Sequence, residues 1–224
     1  MRKVYNSEIN ENPIKGVVQT KRLEVYSEDG SELKEFIDSK GLHRVRYRDE
    51  YVGGDWVDAL GAAAPDNVAY TIGGVSLNML SFDGNNTTER KSNSFEIPHD
   101  IALDELNNES LKIELHVHFM SSTTGLGTIK WTVNYCYVPA NGLPIPQNSV
   151  NILQETNGQQ FFHFVKGVEL PKPTSDYDIG GIILFTISRN PLDIQDTYNS
   201  DAILIKVALH IPVNEPGSKQ RYIK

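Results

Sequence analysis

The chain has a single cysteine, Cys136, so it can form no internal disulfide and offers no cluster of thiolates for zinc or iron–sulfur. That usage fits synthesis in a reducing cytoplasm. No apolar run approaches the roughly 18 uninterrupted residues that a membrane helix needs. Behind Arg2 and Lys3 there is no apolar stretch, so the opening residues do not read as a secretory leader. Positive charge is also short, with 21 Lys and Arg against 29 Asp and Glu and a formal net charge of −8. Such a chain is repelled by nucleic acid and by anionic lipid, and neither is expected as a partner. Internal repeats of roughly 20–50 residues are missing, which excludes propellers and solenoids. No heptad run is sustained, so no long coiled coil can hold an oligomer together.

What the chain does have, from residue 43 onward, is alternation. In Leu111-Lys112-Ile113-Glu114-Leu115-His116-Val117-His118-Phe119 the apolar side chains share one face, and Lys112, Glu114, His116 and His118 share the other. Ile129, Trp131, Val133, Tyr135 and Tyr137 repeat the pattern, as do Ile203, Ile205, Val207, Leu209 and Ile211. These segments predict half-buried antiparallel strands. Ile182 to Ile187 is apolar on both faces, which predicts a central strand covered by a second layer. Residues 67–80, 95–97 and 160–168 supply further strands.

Turn residues separate them at Asp83-Gly84-Asn85-Asn86, Gly125-Leu126-Gly127, Ala140-Asn141-Gly142 and Asn157-Gly158. About eight strands with little helix predict an all-β chain, an antiparallel jelly-roll or β-sandwich over residues 43–224. Residues 1–42 are polar and mixed and read as an attachment segment. Within it Val17-Val18 and Leu23 to Tyr26 suit short strands. Leu33, Phe36 and Ile37 have helical spacing between Ser31 and Lys40, with Asp29 or Ser31 as N-cap and Gly41 as terminator.

The chemistry-bearing clusters are few. His116 and His118 leave the same strand face two residues apart, a spacing suited to gripping a metal, with His210 as a third candidate. Residues 120–125 supply no carboxylate to complete such a site, so the expectation is no metal and no cofactor, with histidines that line a subunit contact or hydrogen-bond neighbours such as Glu114. Asp49, Glu50, Asp55 and Asp58 lie near Tyr51 and Trp56, a composition that glycosidases use. They fall in a Gly-rich stretch and read instead as a solvated loop. Gly-x-Ser-x-Gly is missing, and neither Gly53-Gly54 nor Gly180-Gly181 continues as a phosphate loop. Cys136, between Tyr135 and Tyr137, reads as inert packing. No catalytic residue is expected, and the chain reads as no enzyme.

Several segments resemble the jelly-roll domains of tailed-bacteriophage particle proteins, the head-fibre, decoration and tail-fibre knob family. They are Phe95-Glu96-Ile97-Pro98-His99, Glu114 to Phe119 and Ile129 to Tyr135. The closing stretch adds Arg189, Asp196-Thr197-Tyr198, Asp201-Ala202 and Leu209 to Ser218, and Arg48-Asp49-Glu50 with Trp56-Val57-Asp58 matches the entry to the domain. The likeness covers roughly residues 46–224. The family often carries tryptophan after the paired histidines, where this chain has Phe119.

The resemblance implies a trimeric, non-enzymatic module of a virion. Head-surface fibre or decoration is the favoured role, and a tail-borne knob reading host-surface glycan through loops such as Tyr137 to Pro146 is the alternative. Closing three copies into a ring would cover exposed sheet edges and the strand face of Lys112, Glu114, His116 and His118. Arg2, Lys3, Val4, Tyr5 and Lys15 are the candidate attachment residues toward a major capsid protein or another virion protein.

Overall fold

Alternation becomes burial in the computed structural model. It describes residues 47–213 with their side chains, apart from 53–55, 60–62 and 86–87, and the backbone of the strands before residue 47 and to Glu215. The early strands are β1 (Val4–Asn6), β2 (Ile9–Asn12), β3 (Val17–Thr20), β4 (Arg22–Tyr26), β5 (Leu33–Asp38) and β6 (Gly41–Tyr51). Then come β7 (Val57–Asp58), β8 (Asp66–Ile72), β9 (Val75–Phe82), β10 (Glu89–Glu96) and the short helix α1 (Leu103–Asn107). The remainder is β11 (Glu114–Ser121), β12 (Thr128–Val138), β13 (Asn148–Glu155), β14 (His163–Glu169), β15 (Ile182–Arg189) and β16 (Ala202–Glu215).

Two antiparallel sheets form a sandwich. One runs β1-β4-β5-β6-β16-β11-β14, with the β8-β9 hairpin joined to β16, and the other runs β13-β12-β15-β10-β7. The strands β6, β16, β11 and β14 on one side and β10, β15, β12 and β13 on the other interleave early and late parts of the chain. That interleaving is the strand order of a jelly-roll. The all-β expectation holds.

Strands β11 and β12 turn Leu115, Val117, Phe119, Trp131, Val133 and Tyr135 inward, where all are buried. Trp131 meets Phe82 edge-on at 4.9 Å and Phe119 at 5.6 Å, and Phe119 stacks on Phe164 at 5.4 Å. Phe119 is thus a core ring.

Polar groups also hold the sandwich closed. Arg189, at the end of β15, is fully buried and donates Nε and Nη2 to the two oxygens of Asp196, at 2.9 Å each. Its remaining donors reach the carbonyls of Ser200 at 2.7 Å, Phe82 at 3.2 Å and Tyr198. A planar fork of five donors suits this site, where every N–H needs an acceptor because water cannot supply one. Asp196 also accepts the Lys130 amide at 3.1 Å, fixing the 190–201 loop to β12. Arg189, Asp196 and Tyr198, which carry part of the phage-protein resemblance, therefore have a structural task.

Some expectations need correction. Leu33–Asp38 is a strand, not a helix, paired on both sides with β4 and β6. Asp38 stands opposite Gly41, so two residues close the β5-β6 hairpin, and this pairing outweighs the helical spacing of three apolar residues. Strand β15 is central but covered on one face only, since Ile182 and Leu184 remain 38% and 43% exposed. Strand β11 begins at Glu114, so Lys112 precedes it and pairs with Glu169 at 2.8 Å. Strand β6 runs through residue 42, the expected boundary of the attachment segment, and β1, β4 and β5 extend its sheet. No helix among the described residues is long and apolar enough to cross a membrane.

Candidate functional site

Because side chains alternate, the strands that bury Leu115, Val117, Leu209 and Ile211 must present Glu114, His116, His118 and His210 on the outer face. Register then decides which of them meet. His210 stands opposite Asp49 of β6 on one side and Glu114 of β11 on the other, while His118 stands beside Val165 and two residues from the Met120–His163 pair of β11 and β14.

His210 Nδ1 lies 2.8 Å from Asp49 Oδ1, and the same oxygen is 4.0 Å from His116 Nδ1. The imidazoles of His116 and His210 lie nearly parallel with centroids 5.2 Å apart, and Tyr47 stacks on His210 from the other side at 4.6 Å. Glu114 Oε2 sits 3.3 Å from His116 Nε2. Donor atoms of Asp49, His116 and His210 all fall within 4.8 Å of one another. Hydrogen bonding to His210, and then the nearby imidazoles, hold the Asp49 carboxyl below the usual carboxylate range.

His118 belongs to a second pair. Its Nδ1 is 3.1 Å from His163 Nε2. Burial, followed by the charges of Lys206 and His163, lowers its pKa from the ordinary histidine value. Lys206 places its ammonium 3.8 Å from the Tyr51 ring centre. The candidate histidines thus separate: His116 and His210 meet, and His118 does not join them.

The carboxylate that sequence reasoning sought after His118 comes instead from Asp49, 161 residues away from His210 along the chain. Asp49 and Glu50 lie in β6, not in a loop. Glu50 pairs with Arg48, Asp58 with Lys91, and Asp55 lies outside the described residues, so the acidic cluster shows no convergence among the described residues. His163 and Asp49 were both missed as partners, since Asp49 reads from the sequence as loop and the register between distant strands is not carried by alternation.

The second sheet has a groove of about 640 Å³ on its outer side, lined by Ser92, Ser94, Asn134, Gln147, Leu184 and Thr186 among others. Cys136 lines it too and is half-exposed, so the thiol faces away from the core into which Tyr135 and Tyr137 point. Tyr137 itself is buried and its hydroxyl bonds Asp178, so the Tyr137 to Pro146 loop does not offer that aromatic to solvent; Leu143, 84% exposed, is its outward apolar residue. Of the candidate attachment residues, Val4 and Tyr5 lie in β1, and Arg2, Lys3 and Lys15 fall outside the described residues.

No protein-family model matches the chain, and no curated protein matches it. Among solved structures, an α-L-arabinofuranosidase (MgGH51, arabinose-bound) matches with 18% identity and a TM-score of 0.35, covering 70% of this chain and 23% of that one. The infectious bursal disease virus Gx strain structure matches at 11% identity and a TM-score of 0.34, covering 95% and 37%. A non-crystalline-cellulose-specific carbohydrate-binding module, CBM28, matches at 12% and 0.34, covering 75% and 94%. The chain spans under half the length of the first two. Likenesses this distant assign neither a family nor a role.

Proposed function

We propose that this protein is a non-enzymatic structural component of a tailed-phage virion, a homotrimeric head-fibre or decoration protein attached to the capsid through its N-terminal segment. The observation that carries the reading is the jelly-roll strand order with β1, β4 and β5 added in series to the edge of one sheet. An added series of strands leaves the rigid sandwich free to face outward while the early residues reach a neighbouring protein. Fold alone does not fix function, and the phage assignment rests on the resemblance of Arg189, Asp196, Tyr198 and the paired histidines to particle proteins.

Immunogold labelling of purified particles tests this reading. Label over the head is expected for the decoration role, and particles free of the protein would refute it. The groove on the second sheet favours one other reading, a tail-borne knob that binds host-surface glycan. Its hydroxyl- and amide-bearing lining, Ser92, Ser94, Asn134, Gln147 and Thr186, suits the hydroxyls of a sugar. Tail-located label together with a glycan-array signal abolished by Asn134→Ala would establish that alternative.

A further inference from the structure

We propose that Asp49, His116 and His210 form a binding site for a divalent transition-metal ion, with zinc as the reference ion, on the outer face of the β6-β16-β11 sheet. Two imidazoles and one carboxylate are the ligand set such ions favour over magnesium or calcium, which prefer oxygen alone. The three side chains come from three adjacent strands, so they converge on a stiff surface. The site goes beyond the virion reading and does not depend on it.

Three features support the assignment. The Asp49 oxygen already approaches both imidazoles, 2.8 Å from His210 Nδ1 and 4.0 Å from His116 Nδ1. Two ligands of one tetrahedral ion with bonds of about 2.1 Å stand ~3.4 Å apart, so donor atoms within 4.8 Å of one another need to close by at most about 1.4 Å. The two rings, now near-parallel, turn about χ2 to converge, which their partial exposure permits.

The second feature is Glu114, whose carboxylate meets His116 at Nε2 and leaves Nδ1 directed toward Asp49. A metal-binding imidazole is ordinarily fixed in this way through its other nitrogen. The third is Gly167, in the interior of β14 opposite His116. A Cβ at this position would overlap Glu114 Oε1 and crowd His116 Cδ2. Glycine weakens a strand interior, and here its missing side chain is the space in which Glu114 leans against His116. On binding, the ion takes the place of the proton between His210 Nδ1 and Asp49 Oδ1, and His210 stays a neutral imidazole that carries its one ring proton on Nε2.

Calorimetric titration of zinc chloride into the untagged full chain, just above neutral pH, tests the proposal. One ion per chain with micromolar affinity is expected. Asp49→Asn should abolish saturable binding, and because this side chain is half-exposed the fold should survive, as circular dichroism will report. Glu114→Gln and Gly167→Ala should each weaken binding about 10-fold or more. His118→Gln should leave it unchanged. No saturable binding by the folded chain would overturn the proposal. So would binding that survives Asp49→Asn, or that is lost with His118→Gln while Asp49→Asn retains it.

Discussion

Arg189 shows what a buried charge demands. Removing either member of a buried ion pair leaves the other unpaired in a low dielectric, at a cost of about 3–5 kcal/mol. Arg189→Met should therefore lower the unfolding free energy obtained from urea denaturation by that much, and Arg189→Lys should recover little, since an ammonium cannot span Asp196 and three carbonyls. Glu89 is the opposite case. Burial, and then the neighbouring carboxylates of Asp83, Asp66 and Asp201, push its pKa up to about 7, against the single amide of Asp83 that favours the charge. The folded state then binds more protons than the unfolded one between pH 4.5 and about 7, so stability falls as pH rises through this window. Glu89→Gln should flatten that slope and add about 1–3 kcal/mol above pH ~8, measured by denaturation at several pH values.

His118 carries the reverse sign to Glu89. Its lowered pKa means that the folded state holds fewer protons, so its contribution is present in full above the ordinary value of 6.5 and is lost as pH falls through the folded value. Proton NMR titration should find His118 titrating below that ordinary value, and His118→Gln should reduce the sensitivity of the fold to acid. A His118 that titrates at or above the ordinary value would contradict the environment described for it.

At the scale of elements, legibility followed periodicity. Strand β16 was readable only from Val207 onward, since the bulge opposite His118 and Phe119 sets Leu204, not Ile203 or Ile205, with Val207, Leu209 and Ile211 in the core. Strands β11 and β12 were readable throughout because each has one buried and one wet face, so their sequences alternate. Strand β5 was not, because Leu33, Phe36 and Ile37 fit a helix as well as a strand and only pairing with β4 and β6 decided the matter. Strand β15 misled differently: Ile182 and Leu184 look like a covered face yet point outward beside the groove. The Asp49–His210 contact lay beyond sequence reasoning altogether, since it depends on the register of β6 against β16.

The β8-β9 turn is a further element-scale case, where Gly73 and Gly74 both take positive φ, +59° and +85°, as a tight hairpin turn requires. Elements also set what truncation does. β16 still has β11 on one side and β6 on the other when residues 1–40 are removed. The shortened chain should keep its β-type far-ultraviolet spectrum and lose only attachment to particles. A collapse of that spectrum would mean that the early strands are part of the folding unit.

For the whole molecule, the sandwich ends in edges. β14 closes one end of the larger sheet, β13 and β7 flank the smaller one, and exposed edges invite pairing with further chains. Cyclic closure of three copies would satisfy part of that demand without a coiled coil, for which the sequence carries no sustained heptad run. Native mass measurement of the full chain at micromolar concentration tests this most directly. The account predicts a species of three 25.1 kDa chains, and a stable 25.1 kDa monomer would contradict it.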